Sequence, residues 1–406
     1  MLGCMLPRLR LELDFLPSPL KERPGLLIRD PFRFSDRTLI VPPELVPCLA
    51  FFDGQHSALD LRAHLVRLTG DLTAADIERH LTETLSQAGF LEDEIFAGMR
   101  ARAQEAFAAA PVRVAQHAGS AYPEQPAELS CLFEQYLSGP ETDPSPGATL
   151  GIAAPHVSPF GGVEAYRAAY RSLTPADADR TFVVLGTSHY GEPERFGLTR
   201  KPFVTPLGET AVALDLVEEL ERAGGAAVRM EDYCHAVEHS IEFQVVFLQH
   251  LFGPRVRVLP VLCGPFHGSL FGGGLPEDAE PVRRMLGALA ELAAREGSRL
   301  CWVLGVDMAH VGRRYGDRRE ARAGEGEMQE VARQDRERIA CIEAGDARGF
   351  WERVQERQDA LKWCGAAPIY TFLRALPEAR GQLRRYQQWN IDEASVVSFA
   401  GIRFHS

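Results

Sequence analysis

Thr181-Phe182-Val183-Val184-Leu185-Gly186-Thr187-Ser188-His189 is the stretch on which the fold turns. Its apolar run is continuous rather than alternating. A strand of that kind is buried on both faces, as in a parallel sheet covered by helices. Working outward, the same design recurs. Thr149-Leu150-Gly151-Ile152-Ala153-Ala154 is a second short apolar run, and residues 256–262 and 300–306 are two more. Between them, residues 162–173, 214–223, 239–252 and 282–295 carry apolar residues at helical spacing. Strands alternating with helices predict an α/β domain, a mainly parallel sheet with helices on both faces. Residues 319–345 are rich in Arg and Glu and predict a solvated helix.

The chain has 406 residues, enough for two or three domains. Hydrophobic residues make up 45% and charged residues 25%, which excludes wholesale disorder. Net charge is 44 − 56 = −12. An acidic chain lacks the surplus of Lys and Arg that releases counterions from phosphates, so no nucleic-acid partner is expected. No run of about eighteen uncharged apolar residues appears, so no membrane span is expected either. The eight cysteines include no CxxC pair, which argues against a zinc ribbon or a disulfide framework. They fit a reducing compartment with mostly buried thiols, and the chain is placed in the cytoplasm. Met1-Leu2-Gly3-Cys4 has the look of a lipoprotein box, but no basic segment and apolar run precede it.

The first ninety residues form a different pattern. Residues 8–42 predict short strands between Pro-rich turns. Residues 44–52 are helical up to Asp53-Gly54, and residues 59–68 give a second helix stopped by Gly70-Asp71. Thr73 then caps a third helix, with Asp76 three residues on and Ile77, Leu81 and Leu85 on one face. Phe90-Leu91 begins a strand or wing. The resulting boundaries are a small α+β domain over 1–92, a helical connector over 93–111 and the α/β domain over 112–406.

Three of the predicted strands run into histidines: Ala154-Pro155-His156, Gly186-Thr187-Ser188-His189 and Gly305-Val306-Asp307-Met308-Ala309-His310. In open α/β sheets, ligands bind in the crevice beyond the carboxyl ends of the strands. One such histidine is ordinarily a helix cap or a satisfied polar contact; three at equivalent positions point to a shared site. In Glu238-His239-Ser240-Ile241-Glu242, His239 and Glu242 share a helix face. The cluster is either a charged helix start favoured by the macrodipole or a histidine and carboxylates supplied to the crevice. Cys364 precedes Gly365, with Pro368 in the first turn of a helix. It is either an ordinary buried cysteine or a thiol whose pKa is lowered by a helix N-terminus. Neutral imidazoles and a thiolate form a borderline-soft ligand set that suits iron, copper or zinc better than magnesium or calcium. Two His and one Cys would leave positions open for substrate, water or oxygen.

Taken in order, Ala154-Pro155-His156, Leu185-Gly186-Thr187-Ser188-His189, Glu238-His239-Ser240-Ile241-Glu242, Val306-Asp307-Met308-Ala309-His310 and Cys364-Gly365 resemble the Memo-like proteins. In prokaryotes these are called AmmeMemoRadiSam system protein B. Ala118-Gly119-Ser120-Ala121-Tyr122-Pro123 and the segment Leu198-Thr199-Arg200-Lys201 through Gly208 support the likeness, which spans residues 112–405. The resemblance implies a fold like that of class III extradiol dioxygenases. It also implies a metal held by His156, His189 and Cys364, with His239, Asp307 and His310 around the same pocket. Fe(II) is the implied metal, with copper or zinc as alternatives. The dioxygenases use a carboxylate where Cys364 stands, which separates this site from ordinary ring cleavage. Val157-Ser158-Pro159-Phe160-Gly161-Gly162 departs from the family's usual continuation of the first motif. Residues 1–92 resemble PqqD-like winged-helix domains, which bind the leader peptides of ribosomally made peptides; a helical cap on the main domain would show much the same pattern.

The implied function is a non-haem iron, or copper, redox enzyme of dioxygenase type acting on a small or peptide-linked substrate. His239 or His310 would move protons, and Asp307 would orient an imidazole or a bound water. The alternative is a non-catalytic metal- or peptide-binding adaptor, whose N-terminal domain recruits a radical-SAM protein or a peptide. A third reading is zinc-dependent or metal-free hydrolysis.

Overall fold

Four parallel strands make the centre of the large unit, in the spatial order Arg257–Cys263, Thr181–Thr187, Leu300–Gly305, Thr149–Ala154. This computed structural model describes residues 5–70, 74–139 and 147–406. Side chains alternate across the sheet as a strand's two-residue period requires. Ile152, Phe182, Val184 and Val303 pack on one face, and Val183, Leu185, Trp302 and Leu304 on the other. Both faces are covered. Helices Pro126–Leu137, Val163–Tyr170 and Ser240–Phe252 lie on the first. Helices Leu214–Gly224, Glu280–Glu296, Glu327–Ala344, Ala347–Gln355 and Ala366–Ala375 lie on the second. The architecture is α/β with a large, mostly parallel sheet.

Register is what positions the site. Gly305 stands opposite both Gly186 and Ala154, so three strands end level with one another. The residues that follow each strand therefore emerge on one rim.

Two features of this unit differ from expectation. Glu327–Ala344 is not a solvated helix: it buries Met328, Val331, Asp335, Ile339 and Ile342. Its acidic and basic residues had masked a narrow apolar stripe. The C-terminal hairpin was not foreseen at all. Ser395–His405 pairs antiparallel with Thr149–Ala154 on one side and along its length with Arg380–Asp392 on the other. Ser395–His405 is almost wholly buried, whereas Arg380–Asp392 is partly exposed and reads as polar. Phe196–Leu198 adds a further antiparallel strand beside Arg257–Cys263.

Met1–Ala109 forms a unit of its own, and Ala110–Ser406 the other. The first contains an antiparallel meander of Asp14–Pro17, Leu26–Arg29 and Thr38–Val41. Helices Ala58–Thr69 and Ala74–Gln87 follow. Ser57 and Asp60 form a capping box at the first helix, and Gly70 ends it in the left-handed region at φ 71°. The cap expected at Thr73 and the segment around Cys4 lie outside the described residues. Helix Glu94–Ala109, in the stretch read as a connector, packs within this unit: the Arg10 guanidinium lies 3.9 Å from the centroid of the Phe96 ring. Arg10 is itself buried against Asp30, at 3.1 Å. Among the described residues, no helix is long and apolar enough to cross a membrane.

Candidate metal centre

His156 leaves the end of strand Thr149–Ala154 and is buried. Its N–H donates to Asp307 Oδ1 at 2.9 Å, and its Nδ1 lies 2.9 Å from the Gly305 carbonyl oxygen. A carbonyl only accepts, so Nδ1 carries a proton and Nε2 is the nitrogen turned to the crevice. Nε2 points at Cys364 Sγ, 3.3 Å away, and lies 3.4 Å from Asp307 Oδ2.

His189 follows strand Thr181–Thr187 and is oriented the same way by a different group. Glu238 Oε1 accepts its backbone N–H, and Glu238 Oε2 lies 2.9 Å from its Nδ1. A buried carboxylate behind an imidazole fixes the tautomer and makes the far nitrogen more basic. Of the two readings of the Glu238–Glu242 cluster, the structure supports the supply of groups to the crevice. Burial opposes charge on His189, but Glu238 and Cys364 outweigh it and raise its pKa well above the ordinary imidazole value.

His239 caps helix Ser240–Phe252. That helix reaches the rim because a Cβ on Gly305 would fall 2.1 Å from the Ser240 carbonyl oxygen; only glycine permits the approach. The His239 ring stacks on His189 at 5.1 Å and 11°, and meets His156 edge-on at 5.2 Å. The donor nitrogens of His156, His189 and His239 lie within 4.8 Å of one another. His239, expected beside the metal as a proton carrier, thus stands as close as the expected ligands. Burial, then His189, His156 and His117, hold its pKa well below the ordinary value, so it is neutral.

Cys364 arrives from the second face, one residue before the Gly365 that caps helix Ala366–Ala375. Gly365 donates its N–H to the Asp307 carbonyl at 3.1 Å, and a Cβ on it would sit 2.6 Å from that oxygen. Burial raises the Cys364 pKa, but His156 and His189 overcome this and bring it below the ordinary thiol value. Burial pushes Asp307 up to about 6. His310 Nδ1 lies 2.9 Å from the Met308 carbonyl and 3.1 Å from that of Lys362, so its Nε2 is the free base. Burial lowers its pKa against the pull of Asp307.

Sequence alone leaves Glu238 between a helix-start charge and a crevice group, and it does not single out His117. His117, edge-on to His239 at 5.6 Å, immediately precedes Ala118-Gly119-Ser120 and carried no pattern of its own. Glu242 is taken up by other partners. It pairs with buried Arg113, accepts from Tyr122 Oη at 2.5 Å, and accepts the N–H groups of Gln116 and His117, both at 2.9 Å.

Residues 113–403, which contain every side chain of this rim, match the family model described as Memo-like protein. The chain belongs to the Memo-like family. Its similarity to a MEMO1 family protein of Aquifex aeolicus is 27% identity over 383 residues, 93% of this chain and 96% of the relative. A Methanosarcina barkeri MEMO1 family protein is 28% identical over 292 residues, 70% of this chain and 97% of the relative. A Thermococcus kodakarensis MEMO1 family protein is 27% identical over 304 residues, 72% of this chain and 99% of the relative. Both archaeal matches use nearly all of the relative yet leave over a quarter of this chain uncovered.

The donor set fits a metal ion. Two imidazoles commit Nδ1 to fixed acceptors and so leave Nε2 as the nitrogen an ion would take, displacing any proton there, and a thiol of lowered pKa stands at 3.3 Å from one of them. Two ligands of one tetrahedral ion, an imidazole nitrogen and a thiolate sulfur, stand about 3.5 Å apart.

Proposed function

We propose that this Memo-like chain is a metal-dependent redox enzyme of dioxygenase type, holding a single Fe(II), or copper, ion with His156, His189 and Cys364. The carrying observation is that both histidines commit Nδ1 to a fixed acceptor beside the same thiol, which leaves Nε2 as the nitrogen available to an ion. A bound iron or copper ion would supply one-electron chemistry and an open position for substrate and oxygen. The chain's own groups do the rest. Gly305 and Glu238 keep the two imidazoles oriented. His310 Nε2 takes the substrate's proton, since its Nδ1 is committed to two carbonyls. His239 is neutral and walls the pocket against His189. The substrate is a small or peptide-linked molecule, and the first unit is the part that would recruit a peptide or a radical-SAM partner.

The test is an oxygen electrode with protein purified anaerobically and loaded with Fe(II). Oxygen uptake with a reducing substrate is expected, and His310→Gln should lose it while keeping its iron. Uptake that persists when zinc replaces iron contradicts the redox reading. No uptake with any substrate, in a chain that binds iron, favours the adaptor.

A further inference from the structure

Asp335 stands outside the ring of side chains described above, yet its carboxylate joins two parts of that ring. It lies in helix Glu327–Ala344 and is fully buried. Oδ1 accepts from Trp363 Nε1 at 2.8 Å. Oδ2 accepts from Ser398 Oγ at 2.6 Å and from Tyr386 Oη at 2.7 Å. Burying a carboxylate is unfavourable unless hydrogen bonds compensate it, and here three donors from three separate segments do so.

Two of those donors lead to the metal centre. Trp363 is the residue before Cys364. Ser398 grips the segment between Asp307 and His310 three times. Its Oγ accepts the Ala309 N–H at 2.9 Å. Its carbonyl accepts the Met308 N–H at 2.8 Å, and its own N–H donates to the Ala309 carbonyl at 2.9 Å. The third donor, Tyr386, lies on strand Arg380–Asp392, whose partner is Ser395–His405. It takes a hydrogen bond from Gln388 Nε2 at 3.1 Å. Tyr386 therefore binds the same carboxylate without touching the centre.

We propose that Asp335 is a positioning residue: through Trp363 and Ser398 it sets the Cys364 thiol against His156 and Asp307. The proposal rests on the reading of Cys364 and His156 as ligands of one ion. A buried network with every member satisfied specifies one arrangement of its parts, and groups behind a ligand are worth much of its affinity.

The test uses the full chain with Trp363→Phe, Ser398→Ala and Tyr386→Phe, each removing one hydrogen bond to Asp335. Asp335→Asn and Asp335→Leu complete the set. Two readouts are taken beside a thermal melt: the thiolate-to-cobalt absorption on titration with Co(II), and the rate at which iodoacetamide labels Cys364 in metal-free protein, read by peptide mass spectrometry. Trp363→Phe and Ser398→Ala should each weaken cobalt binding about tenfold and reduce the thiolate band. Both should also change the labelling rate of Cys364, while Tyr386→Phe leaves band and rate at the parent's values. Asp335→Asn keeps an acceptor for the indole and should rescue part of what Asp335→Leu loses; being isosteric, it carries the test if Asp335→Leu does not fold. Equal shifts in Tyr386→Phe, or lowered melting in all variants with band and labelling unmoved, would overturn the proposal. If the parent takes up no cobalt, the metal reading fails, and the labelling rates still decide whether Asp335 positions Cys364.

Discussion

Buried Glu238 and the partly exposed ring of His189 form a carboxylate–imidazole pair in which Oε2 lies 2.9 Å from Nδ1 and the second oxygen holds the same residue's backbone N–H. One side chain thus fixes both the position and the tautomer of His189. Glu238→Gln still fills the space and can accept one of these bonds, but its uncharged amide no longer makes the far nitrogen more basic. Metal affinity is expected to fall about 10- to 100-fold, with little change in fold. Competitive titration against a chelator measures this, and unchanged affinity would show that Glu238 is only a helix-start charge.

Glu242 sits in the same motif and does different work. Burial raises its pKa, but Arg113 and His117 prevail and hold it below the ordinary carboxylate value of 4.5. A folded pKa below the unfolded one gives stability that is present above about 4.5 and is lost as pH falls through the folded value. Melting temperature is therefore expected to drop steeply in acid. Glu242→Gln should flatten that drop and cost about 3–5 kcal/mol near pH 7, because Arg113 is left buried without its partner. Denaturant unfolding at pH 7 and at pH 4 checks both, and a parallel acid drop in the variant counts against the assignment.

How much of this was legible without coordinates differs residue by residue. His156, His189 and the Asp307–His310 pair could be placed on one rim because continuous apolar runs end immediately before them. Level strand ends then follow from the parallel register. Cys364 was another matter. It lies outside any strand, and only family resemblance linked it to His156; the physical link is the contact of Gly365 with the Asp307 carbonyl. Glu238 was ambiguous because spacing alone does not separate a helix-start charge from an imidazole partner. The C-terminal hairpin escaped because Arg380–Asp392 is an edge strand whose side chains are mostly polar, so its residues show no buried-strand pattern. Asp335 escaped for the opposite reason: a single buried acid on a highly charged helix looks like its solvated neighbours.

Gly365 is expected to tolerate no side chain. A Cβ would stand 2.6 Å from the Asp307 oxygen, so Gly365→Ala must displace either the helix start or the Asp307 backbone. A cost of about 1–3 kcal/mol is expected from overpacking. Loss of the thiolate-to-cobalt band is expected with it, since the shift falls next to Cys364. A variant that melts like the parent and keeps the band would mean that the approach is looser than the geometry states.

Metal binding should also stabilise the fold, because the ligands come from distant segments that meet only in the folded chain. Adding metal at about 100 times its Kd is expected to contribute about 2.7 kcal/mol. Differential scanning calorimetry of stripped and reloaded protein should show the rise in the parent and none in His189→Ala. An equal rise in that variant places the metal elsewhere.

The most direct measurement is the metal content of anaerobically purified protein, by mass spectrometry, for the parent and for the His156→Ala/His189→Ala double variant. A single iron or copper ion per folded parent chain, with almost none in the double variant, is the expected result. A folded double variant that carries as much metal as the parent would contradict the centre described here.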